Sequence, residues 1–280
     1  MPEIAEVETV RNTLKKNILH KKIIKVDIYY SKMIESNIND FKNNLVNEEF
    51  IDIKRIGKWL IFELKNYYLL SHLRMEGKYF IKDVTQPLAK HEHIVITFFD
   101  NTDLRYHDTR KFGRMNLIKK DDINNVEALN KQGYEPNSKQ LTKSYLYNKI
   151  CKKNLAIKTL LLDQTIISGL GNIYADEVLF ESGINPLKKG NEITLDECQK
   201  IIDASSSIIK KAIECGGTTI RSYTSSLGVI GHYQDYLKVH KRESEKCYKC
   251  GNLIKRIKVN GRSTYYCEIC QKNTKKHGGK

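Results

Sequence analysis

Four cysteines in the last part of the chain constrain its fold more than any other sequence feature. They have the spacing C-x2-C-x16-C-x2-C and are Cys247, Cys250, Cys267 and Cys270. Each C-x2-C pair can present two thiolates from a tight turn, and two such turns complete the tetrahedral ligand set of zinc. We therefore predict one structural zinc ion, because four cysteines leave no open coordination position for catalysis.

The residues between the two cysteine pairs predict a β-hairpin. Residues 251–266 carry β-branched and aromatic side chains around Asn260-Gly261, and Asn-Gly is a strong signal for a two-residue hairpin turn. The other three cysteines occur in predicted helices, where we interpret them as small buried residues. They are Cys151, Cys198 and Cys215.

The charge of the chain points to a polyanionic partner. The 280 residues include 48 Lys and Arg against 33 Asp and Glu, a net charge of +15. Residues 241–280 contain 12 Lys and Arg but only 3 Glu. Clustered cations bind phosphates favourably because counterions are released, so the sequence favours nucleic acid as the partner. A Lys-rich composition without a dedicated partner is the alternative.

The length suits about two domains with a sizeable core. No run of residues approaches the ~20 apolar side chains that span a bilayer. The chain begins Met-Pro-Glu-Ile-Ala-Glu, which is acidic where a secretory signal would be basic. We therefore expect a soluble cytoplasmic protein with no membrane partner.

Hydrophobic periodicity divides the chain into a β-rich part and a helical part. Apolar residues at helical spacing predict a helix over residues 4–18. Short β-rich runs follow up to about residue 118, which indicates a mostly antiparallel β domain led by one helix. These runs cover residues 22–30, 59–65, 67–72, 93–99 and 104–107, with a hairpin turn at 100–103.

Beyond residue 120 the pattern is helical. Thr194 followed by Glu197 has the spacing of a capping box, and residues 133–136 form a plausible linker. Residues 218–242 are rich in Ser, Thr, Gly and Tyr and lack periodicity, which is typical of a functional loop. The candidate helices cover residues 141–152, 155–164, 172–182 and 194–215.

A candidate nucleophile lies at the N-terminus. Pro2 permits removal of Met1, which would leave the secondary amine of proline as the chain terminus. An α-amino group titrates near 8, so roughly a tenth is unprotonated at pH 7 and can attack an electrophilic carbon to form an iminium. Glu3 and Glu6 would lie beside it on one helix face and could transfer protons. The alternative is that these acidic residues only offset the helix dipole.

Two further regions suit contacts with a nucleic acid. In Gly169-Leu170-Gly171-Asn172 the glycines allow a close backbone approach, and the following helix N-terminus would offer N–H donors to a phosphate. An ordinary glycine turn with an Asn cap is the alternative. Met75, Arg110 and Phe112 stand on predicted loops and fit wedges that enter a base stack. The alternative places Met75 and Phe112 in the core.

In combination, these motifs resemble the bacterial formamidopyrimidine-DNA glycosylases, in the wider group that includes endonuclease VIII. The resemblance covers essentially the whole chain, and its motifs are specific together although each alone is not. The matching segments are Met1-Pro2-Glu3, Glu6-Val7-Glu8-Thr9, Gly57-Lys58, His72-Leu73, Met75-Glu76-Gly77, Arg110, Phe112-Gly113, Gly169-Leu170-Gly171-Asn172-Ile173-Tyr174, Gly216-Gly217-Thr218-Thr219 and Gly261-Arg262.

The resemblance implies an α+β fold with three domains. These are an N-terminal β-sandwich with flanking helices (1–130), a helix–two-turn–helix domain with a lesion-capping loop (131–240) and a four-Cys zinc-finger β-hairpin (241–280). It implies a bifunctional DNA glycosylase and AP lyase of base excision repair. Such an enzyme removes 8-oxoguanine and formamidopyrimidines from duplex DNA and then cuts the strand by β,δ-elimination. We accordingly expect a monomer in the bacterial cytoplasm, on the nucleoid.

The resemblance also implies the catalytic residues. Pro2 would attack the sugar C1′ of the damaged nucleotide, and Glu3 would act as acid and base in opening the deoxyribose ring. Glu6 would support this site, and it counts among the DNA-binding residues. Lys58 and Arg262 would bind the phosphates that flank the extruded nucleotide, and they count among the catalytic residues.

A second group of residues would bind DNA. Asn172 would contact a flanking phosphate. Met75, Arg110 and Phe112 would fill the gap left by the extruded base, with Arg110 facing the orphaned cytosine. The same resemblance assigns His91 and Lys158 to DNA binding, and the loop within residues 218–242 would close over the flipped base.

Several positions depart from the family pattern. Ala5 stands where a second Pro is usual, and we expect little effect. Arg74 replaces a Gly before the intercalating Met and could add a phosphate contact or change the loop. Thr109 ends His-Asp-Thr where Asn-Asp-Pro is usual, so we expect a less rigid loop. His240 replaces a phosphate-contacting Tyr, whose role is not carried over, and Ser263 replaces a Gly.

Two other functions fit parts of the pattern. An endonuclease VIII-like enzyme for oxidised pyrimidines usually begins Met-Pro-Glu-Gly-Pro-Glu-Ile and carries its wedge residues in one loop. Here Val7-Glu8-Thr9 follows Glu6, and Met75 is separated from Arg110, which favours the purine enzyme. A non-catalytic zinc-finger DNA-binding protein fits the charge and the cysteines, but it has no use for a free proline amine.

Overall fold

The structure, a computed structural model, describes residues 1–218 and 231–272. The chain divides into two compact units, Met1–Asn130 with Cys215–Gln234 and Lys131–Glu214 with Asp235–Lys280. Of the segment 218–242, which is predicted to contain the lesion-capping loop, residues 219–230 lie outside the described residues. Among the helices of the described ranges, none combines the length and the apolar character needed to cross a membrane.

A β-sandwich led by a helix forms the first unit, as predicted. Helix α1 (Ile4–Ile18) matches the predicted helix. Its apolar face and the inward side chains of two four-stranded antiparallel sheets share one buried core. The strands are β1 (Ile23–Ile28), β2 (Asp52–Ile56), β3 (Trp59–Glu63), β4 (Tyr67–His72), β5 (Lys78–Asp83), β6 (Glu92–Phe98), β7 (Thr102–His107) and β8 (Arg114–Lys119). The sheet orders are β1-β6-β7-β5 and β2-β3-β4-β8.

A second helix, α2 (Ile38–Leu45), interrupts the stretch that the sequence pattern assigns to strands. The side chain of Asn37 caps it by accepting the backbone N–H groups of Asn39 and Asp40. Phe41 and Leu45, one turn apart, are fully buried. The leading helix is confirmed, but the sequence pattern misses α2, because two buried apolar residues in eight are too short a pattern for periodicity to detect. A short helix, α3 (Glu127–Asn130), ends this part of the chain.

The second unit is helical, with α4 (Lys143–Ile150), α5 (Ile157–Leu161), α6 (Asn172–Glu181) and α7 (Leu195–Glu214). The predicted helix 155–164 is shorter than expected, because the Asp163 carboxylate accepts the backbone N–H and the hydroxyl of Thr165 at 2.9 and 2.7 Å. These bonds make a turn that ends α5. The capping box at α7 is confirmed, since Thr194 and Glu197 exchange hydrogen bonds of 2.9 and 3.2 Å.

The predicted hairpin lies between the cysteine pairs. It consists of β9 (Lys255–Val259) and β10 (Arg262–Tyr266). Both turn residues, Asn260 and Gly261, have left-handed backbones with φ of 46° and 73°. Two consecutive positive φ values define the I′ turn, whose twist matches that of the strands.

The three remaining cysteines differ in their positions. Cys198 is buried inside α7, as predicted. Cys151 caps the end of α4, and Cys215 directly follows α7; both are half-buried. The prediction of buried helical positions is therefore wrong for these two, because the apolar pattern does not locate the end of a helix to the residue.

Candidate active site

The acidic residues at the N-terminus form a buried capping box. The backbone N–H of Glu3 donates to Glu6 Oε2 at 2.9 Å at the start of α1. Glu6 Oε1 accepts the backbone N–H and the hydroxyl of Thr218 at 2.7 and 3.0 Å. A Cβ on Gly217 would lie 2.8 Å from the same oxygen, so the backbone can pass this carboxylate only as glycine. Both carboxylates are buried close to Pro2, which is buried as well.

Charged groups surround the terminal amine. Burial lowers the pKa of the Met1 amino group below its usual value; Glu3 and Glu6 act in the opposite direction, and Lys58 adds to the lowering. Removal of Met1 would place the terminal amine on Pro2, one residue further in. A lowered pKa increases the unprotonated fraction near neutral pH, and the unprotonated amine is the form that attacks carbon.

Lys58 lies in the tight turn between β2 and β3. Gly57, which precedes it, has a left-handed backbone with φ of 56°. Arg55 donates to the Gly57 carbonyl and to Glu8 Oε2 of α1, both at 2.8 Å. The turn is thereby tied to the helix that begins with the acidic capping box. Lys58 itself is buried, which explains why its charge affects the terminal amine.

The candidate wedge residues lie on two loops of the sandwich. Met75 is half-buried in the loop between β4 and β5, and Arg110 and Phe112 are exposed in the loop between β7 and β8. The Arg110 guanidinium lies over the Phe112 ring, 4.7 Å from its centroid. The alternative that places Phe112 in the core is wrong, since its side chain is 46% exposed.

Asp108 orders the Arg110 loop, a role that the sequence analysis does not assign to it. Its buried carboxylate accepts the backbone N–H groups of Arg110, Phe112 and Gly113 at 3.0, 3.0 and 2.8 Å. A carboxylate that receives three N–H groups stabilises a tight loop, here with Lys111 at a φ of 56°. The sequence signal that could have identified this role is an aspartate at the start of a short loop that ends in glycine, here residues 108–113.

Tyr106 explains two glycines of the family pattern. A Cβ on Gly77 would lie 2.1 Å from the Tyr106 hydroxyl oxygen, and a Cβ on Gly113 would lie 1.8 Å from it. Both wedge loops therefore pass against the same phenol so closely that any side chain would collide with it. The two loops share one buried support at the end of β7.

Gly113→Ala is expected to lower the free energy of unfolding by about 3 kcal/mol, because the added methyl group overlaps the buried Tyr106 hydroxyl. Urea unfolding of the variant and the wild type measures the difference. Gly251→Ala is the control: a Cβ there meets nothing within 4 Å, although the backbone of this glycine, unlike that of Gly113, is left-handed with φ of 76°. This control should lose only the ~1 kcal/mol of backbone strain. Equal losses in both variants would contradict the collision with Tyr106.

His91 lies beside the Arg110 loop. Its ring centroid is 5.6 Å from that of His107 and 6.2 Å from that of His93. Its carbonyl accepts the backbone N–H of Asp108 at 3.0 Å. The structure thus brings His91 to the base of the loop that carries Arg110.

His72, at the end of β4, should make stability depend on pH. Burial lowers its pKa to about 3, with help from the charges of Arg74 and Lys58, and Nδ1 accepts the Arg74 backbone N–H at 2.9 Å. Between pH 6.5 and about 3 the unfolded chain therefore binds a proton that the folded chain excludes, so stability falls as the pH falls. We expect this residue to cost about 1 kcal/mol between pH 7 and 5.5. Urea unfolding at both pH values should show a loss in His72→Gln that is smaller than in the wild type by about this amount, since His93 and His107, whose pKa values are also lowered by burial, remain in both.

In the second unit, Asn172 joins the N-terminus of α6 to the hairpin. Its side-chain N–H donates to the Ser263 carbonyl at 2.9 Å. Ser263 directly follows Arg262, whose side chain is exposed at the start of β10. The two predicted phosphate contacts of this unit, Asn172 and Arg262, are thereby brought onto adjoining segments.

Lys158 is fully buried behind Asn172. Its Nζ donates to Asp176 Oδ1 at 2.6 Å and to the Asn172 carbonyl at 2.8 Å. The other oxygen of Asp176 contacts His240 Nδ1 at 2.7 Å. In this arrangement the ammonium points at α6, so the predicted contribution of Lys158 to DNA binding would have to act through Asn172.

The four cysteines converge as the sequence predicts. Among the described residues, their four Sγ atoms lie within 4.8 Å of one another. The Sγ–Sγ distance is 3.8 Å for Cys247 and Cys270 and 3.4 Å for Cys250 and Cys267. Zn–S bonds of about 2.3 Å in a tetrahedron place sulfurs about 3.8 Å apart. The cluster therefore suits one structural zinc ion.

Family models match most of the chain. The formamidopyrimidine-DNA glycosylase N-terminal domain matches residues 1–115, and the H2TH domain of the same enzyme matches residues 132–224. A zinc finger found in FPG and IleRS matches residues 244–273. The three matches follow one another in the order that the motifs predict.

Individual relatives are similar in sequence and structure over nearly the whole chain. The formamidopyrimidine-DNA glycosylases of Lactobacillus delbrueckii subsp. bulgaricus and Listeria monocytogenes serotype 4b are each 43% identical, over 97% of this chain and 100% of theirs. The solved complex of Lactococcus lactis Fpg with abasic-site DNA superposes with a TM-score of 0.92 at 40% identity, covering 97% of this chain and 100% of that chain. The chain belongs to the formamidopyrimidine-DNA glycosylase family, whose members are DNA glycosylases of base excision repair.

Proposed function

We propose that this chain removes oxidised purines from duplex DNA through a Schiff base on Pro2 and then cuts the strand. The observation that carries the proposal is the N-terminus, where buried Pro2 precedes the buried carboxylates of Glu3 and Glu6 and the charge of Lys58 acts on the neighbouring Met1 amino group. Solved complexes of the Lactococcus lactis relative contain DNA with an abasic site and, for two mutants, DNA with Fapy-dG. Damaged double-stranded DNA is therefore the substrate that we assign to this chain.

The first chemical step joins the enzyme to the sugar. The unprotonated Pro2 nitrogen attacks C1′, and the bond from C1′ to the damaged base breaks, with the base leaving as it gains a proton. The attacking nitrogen then loses its proton to a base, which restores its lone pair. Glu3 protonates the ring oxygen as the deoxyribose opens, and that lone pair forms a C1′=N iminium. The capping box holds both carboxylates buried at the start of α1, directly after Pro2 in the chain.

The iminium then allows the strand to be cut. It withdraws electrons from C1′ and acidifies the C2′–H bond, so a base removes that proton and the 3′-phosphate leaves in β-elimination. A second proton loss, from C4′, expels the 5′-phosphate in δ-elimination. Water finally hydrolyses the iminium and restores the Pro2 amine. One nitrogen thus serves both base removal and strand cleavage.

DNA binding has to offset the few kcal/mol needed to extrude a base from the duplex. Lys58, Asn172 and Arg262 would hold the phosphates that flank the extruded nucleotide. Met75, Arg110 and Phe112 would fill the gap that it leaves, with His91 beneath the Arg110 loop. Lys158 would act indirectly, by holding the Asn172 carbonyl at the start of α6.

Borohydride trapping on an abasic-site duplex tests this proposal. A covalent protein–DNA adduct is expected, because borohydride reduces the iminium to a stable amine. A duplex with 8-oxoguanine opposite C should be cut in preference to one with thymine glycol. The reverse preference would favour an endonuclease VIII-like enzyme. A mobility shift without any adduct would favour a non-catalytic DNA-binding protein.

The domains would be residues 1–130, 131–240 and 241–280, the active form a monomer, and the site of action the bacterial cytoplasm and its nucleoid. The net charge of +15 supports a protein that stays on DNA. Analytical ultracentrifugation with and without a lesion duplex would test the monomer, which should bind the duplex with a stoichiometry of one to one.

A further inference from the structure

A side-chain hydrogen bond joins the two wedge loops. The Thr109 hydroxyl donates to Glu76 Oε2. Thr109 directly precedes Arg110, and Glu76 directly follows Met75. The bond therefore lies one residue from a wedge side chain on each loop. We refer to the pair Thr109 and Glu76 as the loop clasp.

The loop clasp is the second connection between these loops. The first is Tyr106, against which both loops pass at their glycines. Tyr106 is buried beneath the loops, whereas Thr109 is exposed and Glu76 half-buried. One support thus lies at the base of the loops and the other towards their tips. Two separate points of attachment restrain both translation and rotation, which a single point cannot do.

Each loop is also held by hydrogen bonds of its own, so the loop clasp connects two ordered loops. Asp108 holds three backbone N–H groups of the Arg110 loop. In the other loop, the Gly77 N–H donates to the Leu73 carbonyl at 2.9 Å. A bond between ordered loops transmits position, because little conformational freedom remains on either side.

We propose that Thr109 and Glu76 are positioning residues that set the place of Arg110 relative to Met75 and thereby determine how strictly the enzyme reads the base opposite the lesion. This inference rests on the proposed function, in which Arg110 faces that base. Guanidinium hydrogen bonds to a base edge depend steeply on alignment. Base removal itself takes place at the N-terminal amine, so a looser Arg110 loop lowers discrimination between opposite bases.

At position 109 a side-chain hydrogen bond restrains the loop, whereas in the resembling sequences a proline ring does so. Proline is usual at this position in the resembling sequences, and it restricts the backbone directly. Threonine has no ring to fix φ, and its hydroxyl is hydrogen-bonded to the neighbouring loop instead. The departure at Thr109 thus changes the means by which the loop is held.

Single-turnover excision of 8-oxoguanine opposite C and opposite A tests the clasp. In Thr109→Val, which removes the hydroxyl at nearly constant shape, the ratio of the two rates is expected to fall about fivefold. Thr109→Ser keeps the donor and should keep the wild-type ratio. Glu76→Ala removes the acceptor and should lower the ratio as Thr109→Val does, and the double variant should lose no more than either single variant.

Thr85→Val is the matched control. Its hydroxyl donates to Asp83 Oδ1 at 2.5 Å in an exposed loop, so the control removes the same kind of bond elsewhere in the sandwich. It should leave the ratio unchanged. A wild-type ratio in Thr109→Val and Glu76→Ala, or fully additive losses in the double variant, would overturn the inference.

Failure of the inference can be told apart from failure of the proposed function. If the wild type forms no borohydride adduct and does not excise 8-oxoguanine, the proposed function fails before any variant is compared. If the wild type excises the base and prefers C, but the clasp variants keep that preference, only the inference fails.

Discussion

Replacing Pro2 by glutamate should reduce the borohydride-trapped adduct with abasic-site DNA on the order of 10³-fold or more, as expected when a covalent nucleophile is lost. The substitution removes the ring nitrogen of proline. Glutamate is also too large to permit removal of Met1, so the terminal amine stays one residue further from the site. The measurement is the fraction of labelled oligonucleotide that migrates with the protein in a denaturing gel.

A control variant and a mass measurement show whether the loss is specific to the terminal amine. Ala5→Pro alters the first turn of α1 and leaves the amine untouched; proline is tolerated there because the first-turn N–H groups lack helical partners. Its adduct should form at the wild-type rate. Mass spectrometry should show that the wild type has lost Met1 and that Pro2→Glu retains it. An undiminished adduct in a verified Pro2→Glu protein would contradict the Schiff base on Pro2.

Replacing Cys247 by serine should release zinc and lower the affinity for a lesion duplex by at least about tenfold. Binding of structural zinc is coupled to folding, so the hairpin that carries Arg262 would lose its support. The loss of one charge-assisted phosphate contact alone accounts for about a tenfold change. Metal content by mass spectrometry and affinity by fluorescence anisotropy measure the two effects.

Cys151→Ser is the matched control, since Cys151 lies at the end of α4 and is not one of the four clustered cysteines. It should keep one zinc per chain and the wild-type affinity. The slope of log affinity against log salt should become shallower in Cys247→Ser and not in the control. Unchanged DNA affinity after complete zinc loss would show that the hairpin contributes no contact.

Local patterns predict the elements of this fold well where the signal is long or chemically specific. Fifteen residues of regular spacing define α1, and Asn260-Gly261 places the hairpin turn correctly. Thr194 and Glu197 likewise mark the start of α7. In contrast, α2 escapes detection because only two of its eight residues are buried. The helix predicted over residues 155–164 is shortened by a side-chain turn at Asp163 that apolar periodicity does not record.

In the candidate site, too, some residues could be predicted from the sequence and others could not. Pro2, Glu3 and Glu6 are adjacent in sequence, so their proximity follows from one helical turn. The residues that hold the site together come from distant segments and carry weaker signals. In the sequence, Tyr106 resembles any aromatic residue of a strand. In the structure, its hydroxyl leaves no room for a side chain at Gly77 or Gly113. Asp176 reads as a solvated helix residue, yet it is buried between Lys158 and His240.

The sequence by itself determined the cysteine cluster and the order of the family domains, and it predicted Pro2 as the nucleophile, because each depends on residue types in short, characteristic motifs. Tertiary structure alone decided which side chains became supports. It aligned Thr218 with Glu6 across more than two hundred residues, 2.7 Å from backbone nitrogen to carboxylate, and it set Thr109 against Glu76. Such contacts depend on how strands and loops pack, and the free energy of a single hydrogen bond is too small to leave a recognisable pattern in the chain.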